Sequence, residues 1–449
     1  MNHPLSHRDN YQFLTQAPVH RVILTMAVPT IISMLVTSFY NLADTYFVGR
    51  INTQCTAAVG VSFCFMSVVQ AIGFFFGHGS GNFISRRLGA RQRRVASVMA
   101  ATGWGCSFLM GLAIAIVGFF LRSHLAVWLG STPTIQPYAA SYLGIVLLGT
   151  PFMTTSLTMN NQMRFQGNAS FAMVGVLTGA VLNVLLDPLF IFGLGLGISG
   201  AAWATVVSQL CGFLILLRMT SRGQNLPIRL RLFSPTPTLL REIVMGGTPS
   251  LSRQGLAALS TLALNVAAGG YGDAAIAAMS IVSRFCFFIF AIIIGLGQGF
   301  QPLCGFCYGA RLYDRVRSAF GFCVKVGTTF LLVAAVTGAV YAEPIVQLFR
   351  HDPAVVAVGT RALRWQLLTF PLLSTIGVSN MFLQTIRRPL QANLAAAARS
   401  GLFFIPLVLV LPHFFGLTGV EMCQAVSDLC AFALCAPMAW HTLRSLGRE

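Results

Sequence analysis

Charge is scarce in this chain. Only 9% of its 449 residues are charged and 55% are hydrophobic, which excludes an ordinary soluble enzyme and matches a chain built for lipid. Long hydrophilic stretches are missing as well: apolar runs of about 20 to 28 residues, each able to cross a hydrocarbon core about 30 Å thick, follow one another from end to end, about twelve in all. The sequence has no Walker A motif, no H-E-x-x-H and no G-x-S-x-G, and its 8 histidines are too scattered for a metal cage. An enzyme and an ATP-driven pump both lack their signatures, and no cofactor is expected. The 11 cysteines lie mostly inside apolar runs, as Cys64, Cys106, Cys211, Cys286 and Cys430 do, where cysteine acts as a small hydrophobe. Cys304 and Cys307 form a C-x-x-C with no second pair, which is too little for a zinc or redox site. The first apolar run, Val22 to Tyr40, is too long for a signal-peptide core, and no small-residue cleavage site follows it.

The charge that is present is unbalanced, with 29 Lys and Arg against 11 Asp and Glu, a formal net charge of +18. Nucleic acid is not the implied partner, because the cations sit in short breaks between apolar runs and form no soluble basic face. Arg86, Arg87, Arg91, Arg93 and Arg94 follow span two, Arg218, Arg222, Arg229, Arg231 and Arg241 follow span six, and Arg311, Arg315 and Arg317 follow span eight. The alternate breaks hold far fewer, chiefly Arg50, Arg122 and Arg350. By the positive-inside rule both termini and the arginine-rich loops face the cytoplasm, and the chain is a multi-pass protein of the cytoplasmic membrane.

Against this apolar background a few acids stand out. Asn183 and Asp187 are four residues apart, so on a helix they share a face, and Thr205 follows after the glycine-rich stretch Gly193 to Gly200. Span one carries Tyr40, Asn41 and Asp44 near its outer end, with Pro29 about four turns earlier, where a missing hydrogen bond lets a helix bend. A carboxylate at a membrane-helix centre costs roughly 2.5 to 3.5 kcal/mol on insertion scales, so it normally faces the protein interior or a watery cavity. Two carboxylates sharing a site of low dielectric repel each other and lose hydration, which favours one of them holding a proton. Their oxygens, with those of Asn183 and Thr205, equally suit Na⁺ as a hard cation. The residues alone leave both open.

The chain also repeats itself. Gly77, Gly79 and Gly81 at the end of span two are echoed by Gly295, Gly297 and Gly299, 218 residues later. Gly89-Ala90-Arg91 returns as Gly309-Ala310-Arg311 after 220, and Gly197-Ile198-Ser199-Gly200 as Gly416-Leu417-Thr418-Gly419 after 219, while Pro29 pairs with Pro249. Two related halves follow, residues 1–220 and 240–449, joined by a polar cytoplasmic linker over 221–239. Parallel repeats of this kind are common in transporters, with substrate sites at their interface.

The halves differ in charge. The repeat places Leu264 and Pro406 where the first half has Asp44 and Asp187, and it places Arg253, Arg284 and Arg399 where the first half has Ser33, Met66 and Ala180. One cavity wall is thus expected to be acidic and the other basic. Each arginine either snorkels or pairs structurally with an acid such as Asp428 in span twelve, or else it meets an anionic substrate group. Glu421, near the break before span twelve, reads as an interfacial residue. A polyspecific cavity would use soft contacts, for which Phe39, Tyr40, Met66, Met159, Phe287 and Phe290 are available, although each also fits ordinary packing.

Three long segments, VPTIISMLVTSFYNLADTYFVG at Val28 to Gly49, LNVLLDPLFIFGLGLGISGAAWAT at Leu182 to Thr205 and GLGQGFQPLCGFCYGARLYDRV at Gly295 to Val316, resemble the multidrug and toxic compound extrusion (MATE) family, in its DinF/MepA-like bacterial branch. The resemblance covers nearly the whole chain. It implies an all-α polytopic membrane protein with twelve transmembrane helices in two pseudo-symmetric six-helix bundles around a central V-shaped cavity. It implies secondary active efflux of drugs, organic cations or metabolites, coupled to inward H⁺ or Na⁺. The branch's first-half cation site falls on Asp44, Asn183, Asp187 and Thr205, and its bending proline on Pro29. Another branch has acids in spans seven and ten for Na⁺ coupling. Here span seven offers Arg253, Gln254 and Asn265, and span ten has no acid, so a second-half cation site is not expected.

The substrate cavity is expected to draw on Tyr40, Asn41, Met66, Arg253, Gln254, Arg284, Phe287 and Arg399, with small-molecule substrates and the bilayer as partners and a monomer as the unit. The competing reading is a flippase for lipid-linked oligosaccharide, or an exporter of an anionic substrate, held by the second-half arginines.

Overall fold

The computed structural model describes residues 9–447, except for the side chains of Asn41, Leu42, Thr45 and Thr53. Among these residues the only regular structure is helical. The first half contains α1 (Asn10–Gln16), α2 (Val19–Gly49), α3 (Thr53–Gly89), α4 (Arg93–Trp128), α5 (Gln136–Phe165), α6 (Ala169–Pro188) and α7 (Ile198–Thr220). The second contains α8 (Pro237–Gly269), α9 (Asp273–Gly309), α10 (Tyr313–Val340), the short α11 (Ala342–Phe349), α12 (Pro353–Thr385), α13 (Pro389–Ala397), α14 (Phe404–Phe415) and α15 (Leu417–Ser445). A π-helical turn extends α6 over Leu189–Gly193, and another joins α13 to α14 over Ala398–Leu402.

Eleven stretches among the described residues are long and apolar enough to cross a membrane. The twelfth span expected from the sequence is α8, which is long enough at 33 residues but is diluted by Arg241, Glu242, Arg253 and Gln254. Its place is fixed by the repeat rather than by hydropathy.

The backbone carries the repeat seen in the sequence. Gly197 and Gly416, 219 positions apart, take nearly the same left-handed conformation (φ 57°, ψ −135° and φ 56°, ψ −137°), which a side chain would strain. Asn160 donates to the carbonyl of Ala172 at 3.0 Å, and Asn380 repeats the bond to Ala392 at 2.8 Å, each partner displaced by 220. Arg91 and Arg311 both adopt positive φ in the turns after α3 and α9.

The helices assemble into two compact units. Unit 1 is the chain through Gln16 together with Ile32–Gly247, and unit 2 is Ala17–Ile31 together with Thr248–Glu449. Within each, one helix is central: 67% of the apolar window of α5 and 72% of that of α12 is buried, and both have low hydropathy because they face helices more than lipid. Their polar side chains then find partners inside the bundle. Thr158 donates to Ser107 at 2.8 Å and Gln162 to Ser80 at 2.9 Å in unit 1, and Gln384 donates to Ser250 at 2.8 Å in unit 2.

Candidate cation site and the second-half arginines

In unit 1, α2, α5, α6 and α7 bring the expected residues together. Asn183 and Asp187 lie on the buried face of α6, 2% and 0% exposed, and Asp187 comes just before Pro188 and the π turn. Proline donates no backbone hydrogen bond, and a π turn widens the helix, so this end of α6 is locally freed from regular pairing. Thr205 sits two turns into α7, donating to the carbonyl of Ala201 at 3.0 Å and meeting the Asn183 amide at 3.5 Å. Tyr40 and Asp44, one turn apart on α2, are in electrostatic reach of Asp187.

The decisive feature is what these oxygens lack. Asp44 Oδ1, Asn183 Oδ1 and both carboxylate oxygens of Asp187 are buried without a hydrogen-bond partner among the described residues. All are acceptors, and acceptors stripped of water are costly unless a donor or cation meets them. The donor set fits a proton or a hard monovalent cation. Among the described residues no group of three His, Cys, Asp or Glu could hold a metal ion.

Beside them lies a cavity of about 140 Å³ within unit 1, lined by Tyr40, Asn160, Asn183, Thr205, Ser208 and Gln209 among others. Ser156 Oγ, Ser208 Oγ and Gln209 Oε1 on its wall are further buried polar atoms without partners among the described residues. The space is well below the roughly 300 Å³ that drug-sized ligands need, so it suits a small polar species.

Sequence reasoning missed Tyr142. It is 4% exposed on α5, beside Thr205 and in electrostatic reach of Asp44, Asp187 and Tyr40. A tyrosine inside an apolar run signals little alone, but the repeat puts Ala362 at its counterpart, the same kind of difference that marked Asp44.

The other expected residues are more dispersed. Pro29 is buried inside an unbroken α2, in the part that belongs to unit 2, while Asp44 lies in the part that belongs to unit 1. The Asn41 side chain lies outside the described residues. Met66 packs against the apolar core of unit 1, and Met159 is fully buried in another core cluster, both in packing roles. Phe39 and Phe287 are 62% and 60% exposed.

In unit 2, Arg253 donates to Asn380 at 3.0 Å, and Arg399 pairs with Asp428 at 2.8 Å, the structural pairing that span twelve offered. Gln254 and the exposed Arg284 have no hydrogen-bond or ion-pair partner among the described residues. Glu421 is fully buried and held at 3.0 Å by Arg361, whose side chain is itself exposed.

Comparison with known proteins agrees with this layout. The profile of the MatE family matches residues 29–189 and again 249–410, one match per half. The chain is similar to the multidrug export protein MepA of Staphylococcus haemolyticus, 28% identical over 94% of this chain and 93% of that one. It superposes on a MOP superfamily transporter from Pyrococcus furiosus, described as having a binding pocket of reverse polarity, with a TM-score of 0.91, 24% identity and coverage of 98% and 99%. It superposes equally on a MATE protein in a bent conformation, with a TM-score of 0.93, 24% identity and the same coverage. With its profile matched in both halves across most of its length, the chain belongs to the MatE family.

Proposed function

We infer that the chain is a secondary active exporter of small organic compounds, driven by inward movement of H⁺ or Na⁺ through the acidic site of unit 1. The observation that carries the reading is the set of partnerless buried oxygens on Asp44, Asn183 and Asp187. Such a set has two states of different charge: vacant, it is a repelling anionic cluster, and occupied, it is neutralised. The export direction and the range of compounds follow the relatives, which carry the name of multidrug export proteins.

Neutralisation acts first on α2, because Asp44 is borne on it and Pro29 lies fifteen residues earlier in the same helix. A proton or Na⁺ entering from outside relieves the repulsion between Asp44 and Asp187 and lets α2 repack. Tyr40, which lines the cavity, moves with it, and substrate affinity falls on the outward side. Return of the cation to the cytoplasm resets the site. The arginine-rich breaks support a chain in the cytoplasmic membrane with its termini in the cytoplasm, the orientation in which an inward cation gradient would drive export.

The test is efflux of a fluorescent cation such as ethidium from proteoliposomes under an imposed ΔpH or Na⁺ gradient, for the wild type and Asp187→Asn. Efflux under one gradient, abolished in the variant while reconstitution is unchanged, is the expected result. Equal efflux by the variant, or none by the wild type under either gradient, overturns the reading.

A further inference from the structure

The middle of unit 2 holds more positive charge than its acids balance. Arg253 lies about 24 Å along α8 from Pro237, near the helix midpoint, and Arg284 about 16 Å into α9. Arg399 is about 15 Å into the span that begins at Pro389. Asp428, about 16 Å into α15, is the one acid of this unit at comparable depth. Glu421 is nearer the start of α15 and already paired with Arg361, while Asp273, Asp314, Glu343 and Asp352 stand at helix ends. Cations at membrane depth are rare and normally find a counter-charge. Here two of the three find none among the described residues: Arg253 has only the neutral amide of Asn380.

Arg399 is mounted to receive a ligand. Its guanidinium is reached by groups from two helices, Asp428 Oδ1 of α15, which accepts from Nε at 2.8 Å, and the Phe290 ring of α9, 4.7 Å from its carbon, while Thr369 of α12 holds the other oxygen of that carboxylate at 3.4 Å. These contacts hold the side chain against its neighbouring helices, and 22% of it stays exposed. Its backbone is fixed by the π turn and by Ser427, which donates to the Arg399 carbonyl at 2.7 Å. Asp428 is satisfied by Arg399, Gln424 at 2.9 Å and Thr369. Only Nε of the guanidinium is used. The two terminal nitrogens have no partner among the described residues, and their paired N–H groups match a carboxylate's two oxygens.

The repeat explains why this site is in unit 2. Counterparts 219 positions apart pair Ala180 with Arg399, Thr205 with Gln424 and Gln209 with Asp428. The three first-half residues line the neutral polar cavity beside the acids. Unit 2 has built a guanidinium mount at the equivalent place. Arg253 is on the helix that packs against this span, since its neighbour Ser252 bonds Asn393 at 3.1 Å and Leu256, one turn on, is in close contact with Gly401.

We propose that unit 2 carries a binding subsite for the carboxylate of an amphipathic organic anion or zwitterion, gripped by the terminal nitrogens of Arg399, with Arg253 supplying the balancing charge. The subsite rests on the export reading for its purpose, since it would set which compounds are carried, but its test requires no gradient. Equilibrium binding of a fluoroquinolone, a fluorescent carboxylate, is compared with that of its methyl ester on the purified full-length protein. The variants are Arg253→Gln and the double change Arg399→Met/Asp428→Asn, which removes the ion pair without stranding either charge. The wild type is expected to prefer the acid over the ester, and both variants to lose acid binding by about tenfold or more while ester binding is retained. An unchanged acid-to-ester ratio in the variants, or no preference in the wild type, overturns the proposal. Failure of gradient-driven efflux alone would leave this ratio untouched.

Discussion

At the scale of single residues, the two halves handle buried charge in opposite ways. Among the described residues Asp44 and Asp187 keep oxygens without partners, whereas Asp428 is met by three donors. Asp428 is therefore a fixed counter-charge. Removing one member of a buried pair strands the other, at a cost of about 3 to 5 kcal/mol, whereas replacing both is often near neutral. Asp428→Ala is expected to lower the thermal unfolding midpoint in detergent strongly, and Arg399→Met/Asp428→Asn to restore most of the loss; additive effects would show that the pair is not coupled. Asp44 and Asp187 were legible in the sequence because a charge in an apolar run has few innocent explanations. Tyr142 was not, because its hydroxyl means something only once α5 sets it against Thr205.

At the scale of helices, the glycine rows that revealed the repeat prove to be contact surfaces. A side chain on Gly79 of α3 would overlap the carbonyl of Ile243 on α8, and one on Gly246 would come within 3.1 Å of Gly79 itself. In the matching row of α9, Gly299 lies just as close to α2, with a side chain 2.7 Å from the Ala27 backbone. Backbone cannot yield as a flexible side chain does, so these approaches allow little but glycine. Gly79→Val and Gly299→Val are each expected to lower the unfolding midpoint, by an amount in the overpacking range of about 1 to 3 kcal/mol. Gly60→Ala, where nothing lies within 4 Å, should leave it equal or slightly raised. An equal response at all three positions would refute the contact role. The rows were readable as a repeat, but their partners lie far along the chain, and spacing within one segment cannot reveal which helix it will meet. For the same reason α8 was legible through the repeat with Pro29 and Pro249, although its polar residues hide it from hydropathy.

At the scale of the whole molecule, the sequence boundary and the folded boundary are different places. The stretch 221–239 reads as a polar linker, yet its residues pack back on unit 1. Leu226 donates its backbone N–H to Gln166 at 2.6 Å, Asn168 bonds Asn225 at 2.6 Å, Ser234 bonds Thr102 at 3.2 Å, and Phe233 lies against Gly105. The start of α8 follows, fastened to α3 by Glu242 and Arg86 at 3.1 Å, with both side chains largely buried. In return, Ala17–Ile31 belongs to unit 2, where Arg315 bonds the Ala17 carbonyl and His20 meets the Phe322 ring. Each sequence half thus contributes a segment to the other unit's fold. Cutting the chain after Gly223 would leave two pieces still holding one another through these exchanged segments, because the buried contacts do not depend on the peptide bond that is lost. Co-expressed fragments 1–223 and 224–449, tagged on one only, are expected to copurify, and a second fragment shortened to begin at Thr248 to copurify less well. Introducing Arg86→Ala, Glu242→Ala and Gly79→Val together should weaken recovery of the longer pair towards that of the shorter one. Equal recovery in every case would mean that the exchanged segments do not hold the halves together, and that the linker is only a tether.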